Sequence, residues 1–277
     1  MTNQLPASLN YLCPWECELE RIGGNRDGGY AVPSAAVRST GNVFSIGIST
    51  DWSFEKMLSS NNKKMRIFAH DRSVGSLVFL YIGFRDFLKP KSRNLRCPEF
   101  PRIGYAWTWL KMSVKFRTFF SGRHHFVRRW VKPIAKSNKE ISFADAFSKV
   151  PRTGSIVIKI DIEGDEYGLK DQIKASIIER KGQISTLVFE LHDTDTRRVE
   201  FEQFVREISE LMPLVHVHGN NCRKLSPEGL PTFVEVTFAH PDLVGKSKVL
   251  NFPIDGLDFP NDPELSELEF SFSGSGL

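Results

Sequence analysis

The sequence predicts an α/β protein on a Rossmann-like, mostly parallel sheet, and three observations carry that expectation. From residue 41 onward, short apolar strands alternate with amphipathic helical segments, the sequence form of a parallel α/β sheet. The run Ile156, Val157, Ile158, Ile160 has little polar interruption, as for a strand buried on both faces. Asp161, Glu163 and Gly164 begin where that burial stops, at the carboxyl end where open parallel sheets place their chemistry.

The elements follow in order. Residues 1–40 form an N-terminal Gly-rich element around Arg21-Ile-Gly-Gly-Asn-Arg-Asp-Gly-Gly-Tyr30. Asp27-Gly28-Gly29 is hairpin-turn chemistry; the same flexible backbone, with Arg21, Asp27 and Tyr30, also suits a lid over a ligand. Residues 42–47 are the first strand, and Ser49, Thr50 and Asp51 stand ready to cap a helix that reaches about Ser60. A second strand, 65–70, stops at Asp71.

Residues 85–139 break the rhythm. Prolines stand at 90, 98, 101 and 133, aromatic residues interleave with basic ones, and residues 107–120 are helical in pattern, so the segment is read as an insertion over the carboxyl edge of the sheet. Beyond the strand at 155–161, a helix over 166–178 leads to a strand at 184–191. A helix over 199–212 follows, with Phe201, Phe204, Val205, Ile208 and Leu211 on one stripe facing the sheet. Strands at 214–218 and 232–238 complete a single domain spanning 1–277, with an antiparallel edge. The Ser/Gly-rich final residues are expected to fray.

Composition bounds the function classes. A chain of 277 residues with 40% hydrophobic and 25% charged residues can bury a substantial core. No 18-residue apolar run and no signal-like N-terminus is present, which predicts a soluble, cytoplasmic protein. Cys13, Cys17, Cys97 and Cys222 lack the paired spacing of a structural zinc site and are read as free thiols. Charge is uneven: between Arg85 and Lys139 there are fifteen Lys or Arg against two acids, while the rest of the chain carries 22 basic and 31 acidic residues. Such a basic, aromatic segment suits a solvated cap, a nucleic-acid surface, an anionic glycan or lipid-linked acceptor, or peripheral contact with an anionic membrane.

Five strand ends carry the candidate chemistry, two for a cofactor and three for catalysis. Gly47 ends the first strand and Asp71 follows the second, the places where nucleotide-binding α/β folds let a cofactor approach the backbone and bind its ribose. Gly47-Ile-Ser49 lacks the full phosphate fingerprint, which disfavours a dinucleotide and fits S-adenosylmethionine, a ribose cofactor without phosphate. Asp161 and Glu163, then Glu190 and His192, then His216, His218 and Asn220 each place carboxylate, imidazole or amide groups at one rim, because side chains two apart share a face. Such a cluster suits a general base or a divalent metal held by Asp161, Glu190 and His218, and the sequence leaves both open.

These residues also carry a resemblance. Arg21 to Tyr30, Ser45-Ile-Gly-Ile with Ser53-Phe-Glu55, Lys159-Ile-Asp-Ile-Glu-Gly-Asp-Glu-Tyr167, Phe189-Glu-Leu-His192 and His216-Val-His-Gly-Asn-Asn221 resemble, in order, the FkbM-like S-adenosylmethionine-dependent methyltransferases. The resemblance implies a seven-stranded methyltransferase sheet and O-methylation of a glycan, sugar or secondary-metabolite hydroxyl. It implies that Ser45, Gly47, Ser49, Glu55 and Asp71 serve the cofactor. Asp161, Glu163, Glu190, His192 and His218 would then serve catalysis, with His192 or His218 as base, and Arg21, Asp27, Tyr30, Asn220 and Asn221 would face the acceptor. The chain departs from the family at Ser45-Ile-Gly47, without the common Asp-x-Gly opening, and at His70 before Asp71. Two rival readings remain: a nucleic-acid-binding α/β protein and a catalytically inactive nucleotide-binding scaffold.

Overall fold

The computed structural model describes residues 3–88 and 102–273. Seven strands build the central sheet: β1 Thr40–Ile46, β2 Arg66–His70, β3 His125–Val127, β4 Ser155–Ile160, β5 Ile184–Leu191, β6 Leu214–Gly219 and β7 Val234–Ala239. Their order across the sheet is β6-β7-β5-β4-β1-β2-β3. All neighbours are parallel except that β7 runs antiparallel to both β5 and β6, which gives the sheet its antiparallel edge. This is a Rossmann-like, mostly parallel sheet with one antiparallel strand. The chain winds outward from β1 in one direction and from β4 in the other, so a crevice opens beyond the carboxyl ends of these two central strands.

The helices are α1 Ser34–Ser39, α2 Ser53–Asn61, α3 Ser76–Leu88, α4 Arg102–Phe119, α5 Phe143–Phe147, α6 Lys170–Glu179 and α7 Arg198–Ser209. Successive strand residues point to opposite faces, so Phe44, Ile46, Ile158 and Phe189 build one core layer with Phe201, Phe204 and Ile208 of α7. Val43, Ile67 and Val157 build the other with Phe54 and Leu58 of α2 and with Phe79 and Phe116 of α3 and α4. Four of the five residues expected on the α7 stripe, Phe201, Phe204, Val205 and Ile208, are buried, while Leu211 lies past the helix end and is half-buried. At the start of α2 the expected cap takes a particular form: Trp52 is the N-cap residue, and the Asp51 Oδ1 accepts from the Ser53 backbone N–H at 2.8 Å.

The segment 85–139 is corrected in one respect. It is not all insertion: His125–Val127 pairs in parallel with Phe68–His70 and forms the outermost strand β3. Residues 89–101, with Cys97 and three of the four prolines, lie outside the described residues, as do the final four. Leu19–Ile22 and Tyr30–Pro33 form an antiparallel hairpin around the Gly-rich turn. Cys13, Cys17 and Cys222 are free thiols. Among the described residues, no helix is long and apolar enough to cross a membrane.

Candidate functional site

A cavity of about 480 Å³ opens at the carboxyl ends of β1, β2, β4 and β5, and Gly47, Ser49, Asp71, Asp161, Glu163 and Glu190 lie on its wall. Its size is within the range of small-molecule sites. A larger cavity, about 1060 Å³, lies between α2 and α4 and contains none of these groups.

Gly47 shapes the wall. Its φ is +76°, and a Cβ there would lie 1.5 Å from the Asp161 carbonyl oxygen, so only glycine lets the chain leaving β1 cross the end of β4. The Gly47 N–H donates to the His70 carbonyl at 3.0 Å, and its own carbonyl accepts from the Lys159 Nζ at 2.7 Å. One residue thus joins three strand ends. Ser49 lies beside it at φ +48°.

Asp71 is where the sequence places it, but its carboxylate is already engaged. Oδ2 accepts from the backbone N–H groups of Ile48 and Ser49 at 3.0 and 2.8 Å, and Oδ1 from the Ser73 N–H and hydroxyl at 2.7 and 2.6 Å. Four donors fill a carboxylate's lone-pair positions. Asp71 therefore holds the loop after β1, and a ribose would have to displace one of those amides. Ser45 and Glu55 also differ from expectation: both are buried beneath the wall, where the Ser45 hydroxyl donates to Glu55 Oε1. Burial raises the Glu55 carboxyl despite Lys159 and Ser45 nearby. Burial lowers His70 to about 4, so its imidazole is neutral on the cavity wall.

Acids converge on one buried cation. Lys159, 4% exposed, projects from β4 with Nζ 3.5 Å from Asp161 Oδ2 and 5.3 Å from the centre of the Tyr30 ring. Burial alone would lower this lysine, but Asp161, Glu55 and Glu190 raise it above its usual value. The Tyr30 hydroxyl donates to Asp161 Oδ2 at 3.2 Å, so this residue, 2% exposed, positions the aspartate and is no part of a lid. Glu190 accepts from the Asn220 amide at 2.8 Å. Burial, followed by Asp161 and Glu235, pushes the Glu190 carboxyl up to about 8. Asp27 reaches the cavity rim from the hairpin turn, and partial burial with Glu235 and Asp161 raises it too.

His192 is oriented like the base of a catalytic dyad. Glu166 Oε1 accepts from the backbone N–H groups of Ile162 and Gly164 at 3.0 and 3.1 Å, and lies 2.9 Å from His192 Nδ1. An oxygen already acting as acceptor fixes the tautomer: Nδ1 donates, and Nε2 is left for proton transfer. Nε2 lies 3.8 Å from Glu163 Oε2 and 4.0 Å from Glu190 Oε2. Burial would lower this imidazole, but the Glu166 bond and charge, then Glu190 and Asp161, raise it to about 9. Glu163 sits at φ +58° with its side chain 83% exposed at the mouth.

His218 is corrected on both counts, base and metal ligand. It pairs across the sheet with Glu235, its Nδ1 3.1 Å from Glu235 Oε2 and its Nε2 3.3 Å from Glu267 Oε2. Burial opposes the charge, but Glu235 and Glu267 raise it to about 10, and with a carboxylate oxygen against each ring nitrogen neither is open to a substrate hydroxyl or a metal. Among the described residues, the metal-compatible groupings are instead Asp161 with Glu190 and His192, and Asp27 with Glu190 and Glu235. Lys159 already supplies positive charge to the Asp161 carboxylate. Arg21 is likewise structural, since its guanidinium donates to the carbonyls of Gly24, Leu257 and Arg26. Asn221 clamps the C-terminal segment, donating to Asp262 O and accepting from Asp262 N.

The His218 assignment predicts a stability profile. A histidine raised above its unfolded value of about 6.5 contributes fully below that pH, loses its contribution as pH rises, and has none above about 10. The denaturation midpoint of the protein should therefore fall toward that of His218→Gln between these limits. A gap between the two that does not narrow with pH would contradict the ion pair.

Lys159, Glu166 and Glu235 are site residues that pattern reasoning did not single out. Lys159 and Glu166 lie inside the quoted block 159–167, where the signal was available. Glu235 sits alone in an apolar strand.

No protein-family model matches the chain. No curated protein matches it either. Among solved structures, it is similar to a fibrillarin/Nop5p complex (TM-score 0.38, 11% identity, 74% of this chain and 73% of that chain). It is also similar to a precorrin-6y C5,15-methyltransferase from Geobacter metallireducens (TM-score 0.36, 11% identity, 73% and 82%). Likenesses this distant carry no argument about function.

Proposed function

We propose that the chain is an S-adenosylmethionine-dependent methyltransferase of FkbM-like type, transferring methyl to a hydroxyl of a sugar, glycan or secondary metabolite. The observation that carries this reading is one cavity at the topological switch of a 6-7-5-4-1-2-3 sheet, lined by Gly47, Asp161, Glu163 and Glu190, with Lys159 buried against Asp161 and the Glu166–His192 dyad buried behind Glu163 and Glu190. The donor set suits the cofactor: Asp161 and Glu163 favour a sulfonium cation, Ile46, Ile162 and Val131 offer apolar wall, and Gly47 brings backbone close. When bound, S-adenosylmethionine supplies an electrophilic methyl group.

The chain's own residues then have two tasks. Displacement at carbon needs acceptor oxygen, methyl and sulfur in line, which is a matter of positioning. The acceptor hydroxyl must also lose its proton, and His192 Nε2, facing Glu190 and Glu163, takes it once the proton the pair holds at neutral pH has left, with Glu166 holding the ring. Asn220 fixes Glu190 and Tyr30 fixes Asp161, so both carboxylates hold their positions.

Cofactor binding is tested by thermal denaturation with S-adenosylmethionine. At roughly a hundredfold excess over Kd, the stabilisation should be about 2.7 kcal/mol. No shift would favour the inactive-scaffold reading. Radiolabelled S-adenosylmethionine with a panel of glycosides and phenols then identifies the acceptor class.

A further inference from the structure

The helical pair α3 and α4 presents an apolar surface that none of the described residues covers. Leu77, Tyr81, Phe84 and Leu88 of α3 are 77%, 64%, 62% and 59% exposed, and Leu80 and Phe87 extend the same stripe. The opposite side of α3 is apolar as well, with Phe79 fully buried against Trp52, Trp109 and Phe116. A helix apolar all round is normally enclosed by protein or lipid.

The two helices are antiparallel neighbours, because Ser113 Oγ donates to Ser76 O at 2.9 Å while Gly83 lies against Trp109. On α4, Trp107, Leu110 and Val114 recur at helical spacing and are 55%, 39% and 57% exposed, continuing the stripe of α3. Charge frames this surface. Lys111 and Lys115 follow one side of the α4 stripe and Arg117 the other, and α4 contains no acidic residue. Lys111 Nζ lies 5.5 Å from the Trp107 ring, an aromatic and a cation at one level.

We propose that the α3–α4 pair is a membrane-docking element that lies in the interface of an anionic bilayer, its aromatic and leucine side chains among the acyl chains and its lysines at the headgroups. At 13 residues α3 is about 20 Å long, too short to span the hydrocarbon layer. An apolar stripe flanked by Lys and Arg is the pattern of an interfacial helix. A second copy is the poorer occupant, since twofold symmetry would set this basic border against itself, whereas anionic headgroups complement it. This inference is independent of the methyltransferase reading.

The test is flotation of the full chain with vesicles of phosphatidylcholine, with and without phosphatidylglycerol, at low and high salt. The protein should float with the anionic vesicles, less so at high salt. The pair of changes Tyr81→Ser and Phe84→Ser should weaken binding about tenfold or more, and Lys111→Glu with Lys115→Glu should remove the preference for phosphatidylglycerol. A cooperative thermal transition and far-ultraviolet circular dichroism matching the wild type report that these variants are folded. Brominated lipid should quench the wild-type tryptophan emission and quench Trp107→Phe less. Wild-type protein that stays in solution at low salt overturns the proposal. So does dimerisation by sedimentation, or binding of a single-stranded oligonucleotide, that is lost in the same variants without any vesicle binding.

Discussion

Lys159→Met should destabilise the protein by about 3–5 kcal/mol at neutral pH, the cost of breaking a buried ion pair from one side, and should remove the thermal shift with S-adenosylmethionine. The lysine is 4% exposed and is the cation that Asp161, Glu55 and Glu190 share. Burial already raises the carboxyls of Glu55 and Glu190. Without the ammonium these acids would hold their protons more tightly in the folded protein than in the unfolded chain, and a folded state that binds more protons loses stability as pH rises. The deficit of the variant should therefore be small near the unfolded glutamate value of about 4.5 and grow above it. The same nitrogen donates to the Gly47 carbonyl at 2.7 Å, so the loop that approaches the cofactor loses its anchor. Urea midpoints of wild type and Lys159→Met across this pH range decide the matter. Equal midpoints throughout would mean that the carboxylates are solvated well enough without the lysine.

The scaffold of this site was legible because its signals are local. Residues 184–191 read as a strand from their apolar run, and α7 read as a helix from Phe201, Phe204, Val205 and Ile208, all of them buried in the structure. β3 was not legible: three residues, His125–Val127, give no periodicity, and the basic residues around them mask one. The reading of Glu190 and His218 as partners on one rim failed for a nonlocal reason. They do share a face, since both lie opposite Glu235 in register. But β7 runs between their strands, so they stand two interstrand spacings apart, roughly 10 Å, and Glu235 takes up the imidazole. Sequence alternation reports the face of a strand, whereas the distance between two strands depends on what is inserted between them. Arg21 and Asn221 illustrate the same limit, because their partners, Leu257 O and Asp262, lie in a C-terminal segment whose path has no periodic signature.

His192→Gln should lower methyl transfer by about 10²–10⁴-fold, the usual worth of a positioned general base, while leaving the S-adenosylmethionine thermal shift in place. Glutamine keeps an amide donor near Glu166, so the loop holding Ile162 and Gly164 has no reason to rearrange. What it lacks is a nitrogen that can take a proton. The pH profile provides the sharper test. Glu190 is raised to about 8 and His192 to about 9, and Nε2 lies 4.0 Å from Glu190 Oε2, so their protons leave in steps that belong to the pair. At neutral pH both groups hold a proton, and acceptance of another from the substrate requires one to leave first. Transfer by the wild type should therefore climb as pH rises through about 8. In Glu190→Gln one raising charge beside the imidazole is gone, so the ascending limb should move to lower pH; in His192→Gln it should flatten. A wild-type profile that is level over this range, or full transfer by His192→Gln, would take the proton away from the dyad and leave Asp161, the cavity carboxylate nearest Lys159, as the group to examine.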